Sequence, residues 1–167
     1  LPEAAVERLA LAKARAVART EQQGIIIGAD TLVADGSRTL GKPRTQGEAR
    51  AMLASLRGRV HRVVTGVAVL EAATGRSFTA HQVSKVRMRD YADSELEAYV
   101  ASGGAMDKAG AYGVQDGAFR PAGEVEGCYL NVVGLPLCTL RELLSRLGAR
   151  EPLRAEGCPN CPVNGST

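Results

Sequence analysis

The amino-acid sequence predicts a mixed α/β fold, in the α+β manner, and three features predict it. Residues 3–20 carry a helical period, Ile25-Ile26-Ile27 is a β-branched run, and two long Val-rich stretches flank Thr74-Gly75. In the first segment Val6, Leu9, Ala10, Lys13 and Val17 recur at three- and four-residue steps, and Pro2 suits the first turn of a helix. Gly24 and Gly28 enclose the isoleucines, which read as a strand buried on both faces. Residues 32–34 and 38–40 flank an Asp35-Gly36 turn. Thr45-Gln46-Gly47-Glu48 fits a capping box opening a helix that continues through Ala49, Met52, Leu53 and Leu56, with Gly58 as its stop. Residues 61–71 and 77–88 form the expected antiparallel hairpin. Residues 95–102 read as a short helix capped by Asp93, and residues 105–127 as a Gly-rich segment. The last helix spans residues 135–147, with Pro136 near its start and Leu140, Leu143, Leu144 and Leu147 on one side. The expected organisation is one domain over residues 1–150 and a tail over 151–167.

Composition narrows the function classes. The hydrophobic fraction of 45% is that of a globular protein, and with no Trp the core must be built from small aliphatic side chains. The formal net charge is only +3, and no stripe of Lys and Arg interleaved with aromatics suggests nucleic acid. No apolar run approaches the roughly 20 residues of a membrane span. No export signal opens the sequence, so a cytoplasmic location is the expectation. Of the four cysteines, Cys128 and Cys138 lie in apolar sequence and read as buried small hydrophobes. Cys158-Pro159-Asn160-Cys161 could bind zinc, form a redox disulfide or do neither; it supplies only half the ligands of a structural zinc site.

Four places carry residues suited to chemistry. Gly28-Ala29-Asp30-Thr31 puts a carboxylate at the end of the isoleucine run, where ligands bind in α/β sheets; a turn cap is the alternative. Gly41-Lys42-Pro43 offers an amine on a constrained loop, a point charge for phosphate or an ordinary surface lysine. Residues 107–115 combine small side chains with Lys108 and Gln115, a charge and an amide, in a binding loop or a merely flexible one. Lys13 falls on the same helical stripe as Leu9 and Val17, so it either snorkels to solvent or faces a charged site.

Taken together these segments resemble the Maf family, also called septum-formation-inhibitor-like proteins. The resemblance runs through Leu9-Ala10-Leu11-Ala12-Lys13-Ala14, Gly28-Ala29-Asp30-Thr31, Gly41-Lys42-Pro43, Gly58-Arg59-Val60-His61 and Thr65-Gly66-Val67-Ala68. It continues in Asp107-Lys108-Ala109-Gly110-Ala111-Tyr112-Gly113 and ends at Val133-Gly134-Leu135-Pro136-Leu137. It implies a fold similar to the inosine-triphosphate pyrophosphatases, with an elongated mixed sheet, flanking helices and a cleft between two lobes. It also implies cleavage of nucleoside triphosphates between the α and β phosphates with a divalent metal, Mg²⁺ or Mn²⁺. By that resemblance Asp30 is the catalytic residue, as base or metal ligand, and Lys13, Lys42 and Lys108 lie near the triphosphate. Lys108 through Gly113 followed by Gln115 is similar to the dTTP/UTP subgroup; the 7-methyl-GTP subgroup has Cys in place of this Lys. Thr31 and Gln115 match positions of base choice. The family's Ser-x-Ser-Pro-Arg-Arg turn is not in these residues and is expected upstream of Leu1. The expected partner is a nucleoside triphosphate, with no nucleic acid and no membrane, and a homodimer is compatible with the sequence. The other functions open at this point are a non-catalytic nucleotide-binding regulator of cell division and a 7-methyl-GTP pyrophosphatase.

Overall fold

The computed structural model describes residues 1–149. Its elements are Pro2–Val17 (α1), Ile25–Asp35 (β1), Arg38–Leu40 (β2), Gln46–Leu56 (α2), Val60–Glu71 (β3) and Ser77–Met88 (β4). Then come Asp93–Ala101 (α3), a 3₁₀ turn at Ala109–Ala111, Ala122–Glu126 (β5), Tyr129–Val133 (α4) and Leu137–Leu147 (α5). The mixed α/β class therefore holds. The strands form one sheet in the order β2-β1-β3-β4-β5, and each of these pairings is antiparallel. The resemblance implied a mixed sheet; among the described residues no parallel pair occurs.

Alternation along the strands assigns the two faces. The even-numbered residues of β1 and β3, among them Gly28 and Gly66, face α1. The odd-numbered ones carry the larger core. Val33 and Val63 join α2, α3 and the 105–119 segment in one hydrophobic cluster, while Val67 and Val69 join the leucines of α5 in a second. Asp30 and Thr31 lie midway along β1, between the two clusters, consistent with a cleft between lobes.

Several local readings need correction. The isoleucine run is not buried on both faces: Ile25 is 40% and Ile27 47% exposed, because α5, which covers this face of the sheet, packs chiefly on β3 and β4. The buried stripe of α1 is Val6, Ala10 and Ala14, whereas Leu9 and Val17 are exposed, so helical period identified the helix but not its inner face. Asp93 is the first helical residue of α3 rather than its cap. Ala92 occupies the cap, and its N–H donates to Glu95 Oε2 at 2.9 Å. Cys128 is buried as expected, but Cys138 is only half-buried. Cys158 and Cys161 lie outside the described residues. The short β5 and the 3₁₀ turn lie in Gly-rich sequence where no period can develop, and α4 at five residues is too short to show one.

Thr45 caps α2 as expected, with Glu48 N–H donating to Thr45 Oγ1 at 3.1 Å, but the box is not closed: the Glu48 carboxylate accepts from Arg44 N–H at 2.7 Å, one residue before the cap. This fixes the entry of α2 directly after the Gly41-Lys42-Pro43 loop. No helix among the described residues is long and apolar enough to cross a membrane.

Candidate active site

Asp30 and Thr31 are adjacent in β1, so their side chains leave the strand on opposite faces. One cavity of about 500 Å³ nevertheless touches both. It does so by wrapping around the edge of β1, which β2 leaves uncovered before Val33. The same cavity is lined by Lys13, Lys42, Lys108 and Gln115, so all six residues singled out from the sequence meet there. Its volume lies within the range of small-molecule sites.

Lys13 reaches the site from α1. Its Nζ donates to Asp30 Oδ1 at 2.6 Å and to the Ala29 carbonyl at 2.9 Å. The Asp30 side chain is 17% exposed and the Lys13 side chain 57%, so the carboxylate is held at the cleft wall by an amine still in contact with solvent. Lys13 thus faces a charged site, which resolves its place beside the apolar stripe.

The Lys42 loop and the Lys108 loop are tied together, since Gly110 N–H donates to the Gly41 carbonyl at 3.0 Å. Lys108 Nζ donates to Asp107 Oδ1 and, at 3.2 Å, to the Gly104 carbonyl. The Lys108 ammonium holds the Asp107 carboxyl below the usual carboxylate range, with Lys42 adding to the effect. The glycines here serve packing as much as ligand space. A Cβ at Gly113 would sit 2.9 Å from Lys108 Cε, and one at Gly110 would sit 2.9 Å from Val33 Cγ2. Among the described residues Lys42 makes no ion pair in this structure, so its exposed amine is available to an anion.

On the far face, Thr31 and Thr65 are cross-strand partners whose hydroxyls lie 2.9 Å apart, and Thr65 Oγ1 donates to the Asn131 carbonyl of α4 at 2.8 Å. Sequence reasoning assigned no role to Thr65, Asn131, Asp107 or Asp116. The available signal for Thr65 was a hydroxyl inside the Val-rich stretch of β3, which a fully buried strand carries only if that hydroxyl is bonded.

The family model described as Maf-like protein matches residues 1–147. The chain belongs to the Maf family. It is 51% identical over 148 residues to the dTTP/UTP pyrophosphatase of Moorella thermoacetica, an alignment covering 88% of this chain and 76% of that protein. It is 46% identical over 147 residues to the dTTP/UTP pyrophosphatase of Dictyoglomus thermophilum, with the same coverage of 88% and 76%. It is also 46% identical over 143 residues, 86% of this chain and 75% of the relative, to that of Desulforamulus reducens.

A divalent metal fits this Maf site in one way. Among the described residues no group of three or more His, Cys, Asp and Glu could hold a metal ion by itself. Mg²⁺ commonly uses one or two carboxylates and takes its remaining ligands from substrate phosphates and water. Asp30, partly exposed at the cleft wall, suits that arrangement, in which the ion comes with the nucleotide.

Behind the cleft, Tyr112 is anchored to β3 through His61, whose Nε2 lies 2.7 Å from the Tyr112 hydroxyl. His61 is 2% exposed, and burial pulls its pKa from 6.5 to about 4, against a smaller opposing effect of Asp35. Its neutral form is therefore the folded form. As pH falls from 6.5 towards 4 the unfolded chain takes up this proton before the folded chain does. The stability held above that window is lost across it, at no more than about 1.4 kcal/mol per pH unit. Urea midpoints at about pH 7.5 and about pH 4.5 should diverge in the native protein and converge in His61→Phe. Equal slopes in the two proteins would remove His61 from this account.

Proposed function

We propose that this Maf protein hydrolyses dTTP and UTP to the monophosphate and pyrophosphate, as a nucleoside triphosphate diphosphatase of the cytoplasmic nucleotide pool. The observation that carries the reading is the convergence of Asp30, Lys13, Lys42 and Lys108 on one cleft. A triphosphate brings about four negative charges, and more charge develops on the departing pyrophosphate. Fixed cations at the cleft wall stabilise that charge without reorganising at the moment of reaction. The names of the relatives, all dTTP/UTP pyrophosphatases, support the same choice of substrate.

In this reading Asp30 takes the proton of the attacking water or holds the metal. Lys13 keeps the Asp30 carboxylate oriented through its 2.6 Å contact. Lys42 and Lys108 bind the phosphate oxygens, and Lys108 does so by exchanging its Asp107 partner for the substrate. Mg²⁺ or Mn²⁺, when bound, supplies charge neutralisation along the phosphate chain. Gln115, exposed at the cleft rim, offers an amide to the carbonyl and N–H edge of uracil or thymine.

The test is direct. The full-length protein with Mg²⁺ or Mn²⁺ should release pyrophosphate, not orthophosphate, from UTP and dTTP. Its kcat/KM for these should exceed that for 7-methyl-GTP by about 100-fold or more, since a mismatched base leaves buried polar groups unpaired. A preference for the methylated purine would overturn the substrate assignment, and orthophosphate as product would overturn the bond assignment.

A further inference from the structure

We infer that Thr65 is a positioning residue that fixes the Thr31 hydroxyl as a hydrogen-bond acceptor towards the cleft, so that a base edge bearing a ring N–H is selected over one bearing a bare ring nitrogen. This deepens the dTTP/UTP reading and rests on it.

The direction of each hydrogen bond follows from the chemistry of its ends. A carbonyl oxygen only accepts, so Thr65 must spend its single hydroxyl proton on the Asn131 carbonyl, 2.8 Å away. Thr65 then has nothing to donate to Thr31. The 2.9 Å contact between the hydroxyls is made with Thr31 as donor and Thr65 as acceptor. Thr31 in turn has no proton left, and the side of its oxygen that remains is a lone pair. Thr31 lines the cleft, whereas Thr65 is fully buried behind it.

The far end of this relay is equally constrained. Asn131 is fully buried, and its Nδ2 donates to the Val63 carbonyl at 3.0 Å and to Ser84 Oγ at 2.9 Å. Ser84 Oγ, having accepted from Asn131, donates to the Cys128 carbonyl at 2.8 Å. These bonds pin α4 against β3 and β4 and hold the Asn131 carbonyl where Thr65 meets it. The polarity of Thr31 is thus set by buried carbonyls rather than by solvent, and it does not rotate to suit the ligand.

Uracil and thymine carry an N–H at ring position 3, while cytosine carries a bare nitrogen there. An acceptor-only Thr31 bonds the first and is left facing a second lone pair by the other. Thr65→Val keeps the shape but removes the acceptor for the Thr31 proton, which then becomes free to donate to the cleft. The wild type, Thr65→Val and Thr65→Ser are compared on UTP and CTP by kcat/KM, and on UMP and CMP by calorimetric binding. The expected result is that Thr65→Val narrows the uracil-over-cytosine ratio by about tenfold or more, partly through a gain on the cytosine side, in both readouts. Thr65→Ser, which keeps the relay, should hold the wild-type ratio. A purely structural role would lower both nucleotides together and leave the ratio alone, and that outcome overturns the inference. Should Thr65→Val not fold, Thr65→Cys, with a thiol that accepts poorly, carries the same comparison. Wild-type protein that binds UMP over CMP but releases no pyrophosphate would sink the pyrophosphatase reading alone, with the binding ratios still deciding the role of Thr65.

Discussion

Replacing Asp30 by Asn is expected to lower kcat for UTP hydrolysis by about 10²–10⁴-fold and to leave the fold intact. The two side chains have the same shape. Asn can still accept the Lys13 hydrogen bond that Asp30 Oδ1 now accepts at 2.6 Å. What is lost is the negative charge, and with it the capacity to take a proton or hold a cation. The ion pair contributes little to stability, because Lys13 is 57% exposed and such pairs contribute about 0–1 kcal/mol. A charge that acted only in holding substrate would show in KM. One that acts on the attacking water shows in kcat and kcat/KM together. Pyrophosphate release and the thermal midpoint measured on the same preparation separate these cases. Wild-type turnover by a folded Asp30→Asn protein would remove Asp30 from the chemistry.

The candidate site was largely legible in the sequence because its charged members stand out against their surroundings. Asp30 follows an isoleucine run, Lys42 sits between Gly and Pro, and Lys13 interrupts an Ala- and Leu-rich helix. Each is a charged side chain set among apolar or conformationally constrained neighbours, so each prompts the question of a partner. The resemblance joined them into one pattern, and the cleft brings the same residues together. The partners that orient them were not legible. Thr65, Asn131 and Ser84 are ordinary polar residues, and their part depends on register: Thr31 faces Thr65 only because β1 and β3 pair as they do. Pairing register is a long-range property that no local period reports. The inner face of α1 was misread for a related reason. Leu9 and Val17 are more hydrophobic than Ala10 and Ala14, yet the alanines are the buried pair. What chose them was not side-chain hydrophobicity but the close approach of the helix backbone at Ala10 and Ala14 to Gly28 of the sheet.

That closeness supports the largest expected change in stability. Gly28→Ala and Gly66→Ala should each destabilise the protein by about 3 kcal/mol, the upper end of overpacking costs. A Cβ on Gly28 would lie 2.2 Å from the Ala10 carbonyl oxygen, and one on Gly66 would lie 2.4 Å from the Val6 carbonyl carbon. Both obstacles are helix backbone, so no rotamer change relieves them and α1 must lift off the sheet. The helix carries Lys13 three residues beyond Ala10, so lifting it at Gly28 also loosens the Lys13 contact with Asp30. Gly28→Ala should therefore lose activity beyond its loss of stability, and so should Gly66→Ala, because Gly66 is the cross-strand partner of Asp30 on the same face of the sheet. Thermal midpoints should fall by roughly 6–12 °C in both, taking about 2–4 °C per kcal/mol for a chain of this size. Gly47→Ala is the internal control. Gly47 lies within α2 with only Thr45 Oγ1 near its Cβ position, at 3.8 Å, and there the same substitution should raise stability by about 0.5–1 kcal/mol through helix propensity. If Gly28→Ala and Gly47→Ala shift the midpoint in the same direction by similar amounts, close approach of α1 is not what these glycines provide.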